Sequence, residues 1–254
     1  MLKKIALLSL LALAFLALPA LAQESDRPLI NGIDANFPPF AYVDPTSGEP
    51  AGFDVEALNW IAAKMGFQVK HQPMEWDSIV TSLKDKKIDI IASGLSVSAE
   101  RRQQIDFTQS YWVIKQVVVV KKDSALTLDD VLKTSLKIGV QRGTSDAAAM
   151  EVSNGQEGRS YELTQYDSFE LAVADVINGR ISAAVMNDAP AAQAAASQDV
   201  KILGEAGIPD EEFGFGVNKE NAALLDQLNE GLTLLMADPY WQTLKDKWKP
   251  GEVH

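Results

Sequence analysis

The stretch "WDSIVTSLKDKKIDIIASG", residues 76–94, decides the fold class. Its first part places Ile79, Val80 and Leu83 on one face of a short amphipathic helix. The run that follows, Ile88 to Ala92, carries apolar residues for both faces of a strand, as a buried parallel sheet requires. A helix feeding a doubly covered strand is the unit of an α/β architecture.

The same alternation extends in both directions. Upstream, "LING" from Leu29 starts a strand ending near Asp34. "FDVEALNWIAAKMG" is a helix with Val55, Leu58, Ile61, Ala62 and Met65 on its apolar face, Asp54 as N-cap and Gly66 as stop. "QVKHQPM" is the next strand. Downstream, "YWVIKQVVVVKK" is too β-branched for a helix and reads as an extended crossing. A second series of helices and strands follows, then a second extended stretch, "EEFGFGVNKE", and two closing helices.

"YDSFELAVADVINGRISAAVMND" echoes the opening stretch: aromatic, Asp, Ser, helix, basic residue, Ile, buried strand, polar loop. Any two helix-to-strand units look alike at this level, so the echo falls short of a repeat. It suggests two similar lobes with mostly parallel sheets, joined by crossings near Trp112 to Gln116 and near Gly214 to Val217. Two crossings make a hinge.

Lys3 and Lys4 precede an apolar run from Ile5 to Leu18, and "ALA" at Ala20 to Ala22 has the pattern cleaved by signal peptidase. Residues 1–22 therefore read as an export signal; the run is short of the roughly 20 apolar residues of a membrane anchor. With no cysteine, a lipidated Cys, a disulfide or a thiolate metal site is excluded. The two histidines, His71 and His254, lack metal-ligand spacing and read as surface residues, so neither metal nor cofactor is expected. A net charge of −12 argues against nucleic acid as partner.

In open α/β sheets, ligands sit beyond the carboxyl ends of the strands. That rule selects Asp34 and Phe37; Ser93, Gly94 and Ser96, with Arg101 following; Gln141, Thr144 and Ser145; and Asp188. Arg101 is either a fork of donors for a carboxylate or, like Arg102, a surface arginine. Thr144 and Ser145 either help bind an anion or cap a helix. Asp188 either meets an ammonium or caps a turn. Phe37 and Trp76 are walls of a slot or core residues, and Asp34 is a turn residue or the slot's polar end.

"GIDANFPPFAYVDPTSGEPAGFDVEAL", "KKIDIIASGLSVSAERRQQIDFTQSYW", "IGVQRGTS", "GRISAAVMNDAPA" and "ADPYWQTLKDKW" together resemble the periplasmic solute-binding proteins of polar amino-acid ABC transporters, in family order over nearly the whole chain. The resemblance implies a type II periplasmic-binding-protein fold, with lobe 1 from residues 23–113 and 216–254, lobe 2 from 114–215, and the ligand in the interlobe cleft. It implies that Arg101 clamps an α-carboxylate with Ser96 and the Thr144 or Ser145 region. Asp188 would take the α-ammonium with the Gly94 carbonyl and the Ser96 hydroxyl. Phe37, where relatives usually have Tyr, and Trp76 would flank the side chain, and Asp34, Ser93 and Gln141 would read its far end.

The expected function is that of a monomeric periplasmic receptor for a polar, cationic or amide-bearing amino acid (arginine, lysine, histidine or glutamine), delivering it to an inner-membrane ABC permease. Sensing for a chemoreceptor or kinase is an alternative. So is a cyclohexadienyl-dehydratase-like enzyme, although Ala191 stands where those enzymes place their acidic glutamate.

Overall fold

The computed structural model describes residues 27–248. The export-signal reading and His254 lie outside the described residues. The chain opens with β1 (Leu29–Asp34), β2 (Asn36–Phe37), β3 (Ala41–Val43), β4 (Pro50–Ala51) and α1 (Phe53–Met65). Gly66 ends α1 in the left-handed conformation, φ 78°, as its sequence position implies. Asp54 is not the N-cap: Gly52 is, and the Asp54 carboxylate points inward instead. There it accepts from the Gly94 N–H at 2.5 Å and the Tyr111 hydroxyl at 2.7 Å.

Next come β5 (Val69–Met74), a 3-10 turn at Trp76–Ser78, α2 (Ile79–Lys84), β6 (Ile90–Ile91), α3 (Ala99–Gln104) and β7 (Asp106–Phe107). His71 on β5 is not a plain surface residue. It is partly buried, hydrogen-bonded to Asn31 and Asn59 at 3.0 Å each, and burial lowers its pKa to about 4.

A crossing strand, β8 (Trp112–Ile114), leads to β9 (Gln116–Lys121), α4 (Leu128–Leu132), β10 (Leu136–Gln141), α5 (Ser145–Ser153), β11 (Tyr161–Tyr166), α6 (Phe169–Ile177), β12 (Ala183–Asn187), α7 (Asp188–Ser197) and β13 (Val200–Glu205). The return crossing is β14 (Glu211–Phe213), followed by β15 (Gly216–Val217), α8 (Ala222–Ala237) and α9 (Pro239–Trp248).

Two five-stranded sheets carry the fold, ordered β5-β1-β6-β15-β7 and β11-β10-β12-β9-β13. The orders are equivalent position by position. In each, three strands pair in parallel and the strand that follows a crossing, β15 or β9, inserts antiparallel next to the edge. The echoed stretches therefore supply the middle strands β6 and β12 of the two sheets. The extended segments resolve further: only Trp112–Ile114 of the first is crossing, while Gln116–Lys121 is a buried sheet strand. The return crossing lies at Glu211–Phe213, slightly before the Gly214 to Val217 expected, because Gly216 and Val217 already belong to the first sheet. The two crossings pair antiparallel, Trp112 opposite Phe213 and Ile114 opposite Glu211.

An aromatic cluster joins α1, α9 and the turn between β2 and β3 to these crossings: Phe40 meets Phe213 edge-on at 4.9 Å, and Phe53 meets Trp241 at 5.1 Å and Trp112 at 5.5 Å. Helix α8 approaches α1 at Gly231, where an added Cβ would lie 2.4 Å from Ile61 Cγ2. Alanine is intrinsically a better helix former than glycine by about 1 kcal/mol. Overpacking of this kind costs about 1–3 kcal/mol. Gly231→Ala is thus expected to lower stability by about 1–2 kcal/mol in urea unfolding; a rise in the unfolding midpoint would contradict this helix contact.

Candidate functional site

Strand ends and helix starts from both sheets meet at one small, tightly closed cavity. Asp34, Phe37, Trp76, Gly94, Ser96 and Arg101 line it from the first half of the chain, and Gln141, Thr144 and Ser145 from the second. Each stands past the carboxyl end of a strand, where the topology leaves backbone and side chains free of the sheets.

Arg101 is set by its helix. Ser98 caps α3, its Oγ accepting from the Arg101 N–H at 3.2 Å, which turns the third residue of the helix inward. Arg101 is 7% exposed. Nη1 donates to the Ser96 carbonyl and Nη2 to the Gly143 carbonyl, both at 3.0 Å, while the Trp76 ring lies 5.4 Å from its carbon. Among the described residues no carboxylate is within ion-pair distance of it. Burial lowers its pKa, against the raising influence of Glu211, Asp146 and Glu100. A buried guanidinium with two neutral acceptors and spare N–H donors is matched to an incoming carboxylate.

Thr144 is the N-cap of α5, its Oγ1 accepting from the Ala147 N–H at 3.2 Å, so capping accounts for that hydroxyl. Ser145 donates to Glu211 at 2.7 Å. Asp34, buried at the end of β1, accepts from Gln141 Nε2 at 2.8 Å and from the Asn36 N–H at 2.9 Å. Burial nevertheless raises its carboxyl above the usual range. The Gln141 to Asp34 bond runs from one sheet's territory to the other's, as does Arg101 to Gly143. Gly94, φ 61°, allows Phe37 to pack closely: a Cβ there would sit 2.3 Å from the ring. Phe37 stacks on Phe40 at 5.7 Å and lies 5.9 Å from Phe169, whereas Trp76 covers Arg101.

Two expected residues are not in the cavity wall. Ser93 is buried behind it, its Oγ accepting from the Asp34 N–H at 2.9 Å, so it positions the strand end. Asp188 is the first residue of α7, after the N-cap Asn187, and its Oδ1 accepts from the adjacent Ala189 N–H at 2.9 Å. Its neighbour Asn187 takes the wall position, donating Nδ2 to Gln116 at 2.5 Å. Asp146 and Phe169 also line the cavity. The strand-end rule pointed one residue from Asn187; Asp146 and Phe169 read as ordinary first-turn helix residues. On the far side of Arg101 a wider cleft opens, lined among others by Asp77, Glu100, Glu151 and Glu211.

A family model described as bacterial extracellular solute-binding proteins, family 3, matches residues 29–251. The chain is 30% identical to the L-arginine-binding protein of Pseudomonas aeruginosa over 99% of this chain and 98% of that protein. It is 30% identical to ABC transporter arginine-binding protein 1 of Escherichia coli over 86% of this chain and 89% of that one. Among solved structures, an ancestral arginine-binding protein bound to arginine superposes with TM-score 0.78 at 32% identity, covering 87% of this chain and 97% of that one. An ancestral amino acid-binding protein, a precursor of cyclohexadienyl dehydratase, does so with TM-score 0.77 at 29% identity, covering 87% and 95%. The matched sheet orders, the cavity between them and these likenesses lead to one conclusion: the chain belongs to family 3 of the bacterial extracellular solute-binding proteins.

Proposed function

We propose that this protein is a periplasmic receptor that closes two lobes, residues 23–113 with 216–254 and residues 114–215, on one polar amino acid of the cationic or amide-bearing class and delivers it to an ABC permease. The observation that carries the reading is Arg101, a buried cation with no ion pair among the described residues, in the wall of a cavity whose other charged residues are acids. Its fork takes the ligand carboxylate, assisted by Ser96 and by the backbone amides at Thr144 and Ser145, whose hydroxyls are engaged elsewhere. Asp34, held by Gln141 and positioned by Ser93, takes the far end of the side chain, with Phe37 and Trp76 as the apolar walls. The arginine-binding relatives support this choice of ligand.

Charge argues for the cationic class. Asp34 and Asp146 lie in the wall, and the cleft outside Arg101 carries Asp77, Glu100, Glu151 and Glu211. An acidic mouth concentrates cations and repels anions. At the position where a dehydratase needs its acid, Ala191 is fully buried in α7 and has no proton to give, which favours binding over catalysis.

Isothermal titration against the common amino acids tests the proposal. Arginine, lysine, histidine or glutamine is expected to bind at least about tenfold more tightly than glutamate or leucine, a gap of about 1.4 kcal/mol. A preference for glutamate or leucine would refute the ligand class.

A further inference from the structure

Phe169 opens α6, and with Ala172, Val173 and Val176 it forms the buried stripe that packs this helix on β10 and β12. Core packing accounts for the last three. The Phe169 ring goes further, lining the ligand cavity on one side and a second pocket, of about 130 Å³, on the other. That second pocket lies between the two halves of the chain, with Asn36 and Pro38 from the first and Glu170, Met186, Pro190 and Gln193 from the second. Among the described residues Phe169 is the one that both cavities share. Its ring is 3% exposed and lies 5.9 Å from that of Phe37, which comes from the other half of the chain, so the two rings together form a partition.

The partition stands at the Asp34 end of the cavity. Gln141 Nε2 donates both to Asp34, at 2.8 Å, and to the carbonyl of Asp167, two residues before Phe169, at 3.2 Å. Desolvation and then repulsion from Asp34 raise the Glu170 carboxyl, so the two acids sense each other past the ring. Arg101 is flanked instead by Trp76 and the outer cleft. A ligand held by its carboxylate on Arg101 therefore sends its side chain past Phe37 toward Phe169. Surroundings packed this closely resist one added methylene. We propose that Phe169 is the end wall that sets the length of side chain the receptor accepts, and that the pocket behind it is the space a longer cationic chain would enter if the ring were smaller. Glu170, exposed at the rim of that pocket, is placed to meet its charge. This rests on the amino-acid receptor reading above.

The test compares each amino acid that wild type binds with its homologue one methylene longer: arginine with homoarginine, lysine with homolysine, histidine with homohistidine, glutamine with homoglutamine. Wild type is expected to bind the longer member of its preferred pair about 10- to 200-fold more weakly, the usual worth of one methylene in a fitted pocket. In Phe169→Ala that gap is expected to close to within about threefold or to reverse, because the shorter ligand loses the ring and the longer one gains the space. Phe169→Leu, which keeps the apolar stripe of α6, is expected to close part of it. A ring that only packs the helix would weaken both members of a pair alike, and an unchanged gap in the two variants would overturn the proposal. Equal affinity of wild type for a ligand and its longer homologue would overturn it without any variant. Failure of wild type to bind any amino acid would remove the receptor reading itself, and this inference with it.

Discussion

Arg101→Ala is expected to lower affinity for the preferred amino acid by about 2–5 kcal/mol, roughly 30- to 5,000-fold, the usual cost of truncating one member of a buried charge pair. The geometry explains the size. The guanidinium is fixed from two sides by the Ser96 and Gly143 carbonyls and covered by Trp76, so it meets the carboxylate already oriented. Little side-chain entropy is then lost on binding. Arg101→Lys is expected to recover only a small part, because an ammonium cannot hold both carbonyls and still offer a planar pair of donors. In thermal melts the ligand-free variant keeps its transition, while the rise in melting temperature produced by ligand disappears, as it must when binding to the native state is lost. Affinity within about threefold of wild type would sink the assignment of Arg101.

The second large effect is a fall in stability with rising pH between about 4.5 and 7. Asp54 and Asp146 are buried carboxyls raised to about 7, chiefly by desolvation. Over this interval the folded protein keeps two protons that the unfolded chain has released, so both contributions are present in acid and lost as the pH climbs through the folded values. His71 acts in the opposite sense. Its folded pKa of about 4 lies below the unfolded value, so it favours folding as the pH rises through 6.5. His71 offsets part of the fall below pH 6.5, and the fall steepens above it once His71 is neutral in both states. Urea unfolding at half-unit intervals reads this directly. Asp54→Asn is expected to flatten the profile below pH 6.5, and His71→Gln to steepen it. Stability that increases from pH 4.5 to 6.5 would show that the two carboxyls are charged in the folded protein.

Much of the architecture is legible in local patterning. The helix face of residues 79–83 and the apolar run after it are enough for an α/β assignment, and the echo at residues 166–188 marks the equivalent place in the second sheet. The antiparallel insertions are not legible. Gln116–Lys121 is as β-branched as any crossing strand, and only long-range pairing with β12 and β13 separates it from Trp112–Ile114. The site shows the same division. Strand-end positions such as Asp34, Gln141 and Ser96 follow from topology, since the carboxyl ends of strands open on the cleft. Whether an acid at a helix start joins the cavity wall or stays outside it depends on helix placement and rotamer, and sequence carries no signal for that. Asp146 and Asp188 occupy nearly the same local context, and only one lines the cavity. Asp54 is the same lesson at the first helix, where a residue typical of caps serves instead to brace Gly94 and Tyr111.

The placement of β15 has a bearing on how the chain assembles. Residues 216 and 217 sit between β6 and β7, so the sheet begun at Leu29 stays incomplete until more than a hundred intervening residues have been made and delivered. The other sheet draws all its strands from one uninterrupted run, Gln116 to Glu205. Loop closure over long separations is slow compared with local pairing. The part synthesised first is therefore the part finished last, and a nascent chain that ends just after Glu205 has one sheet whole and the other open along β6.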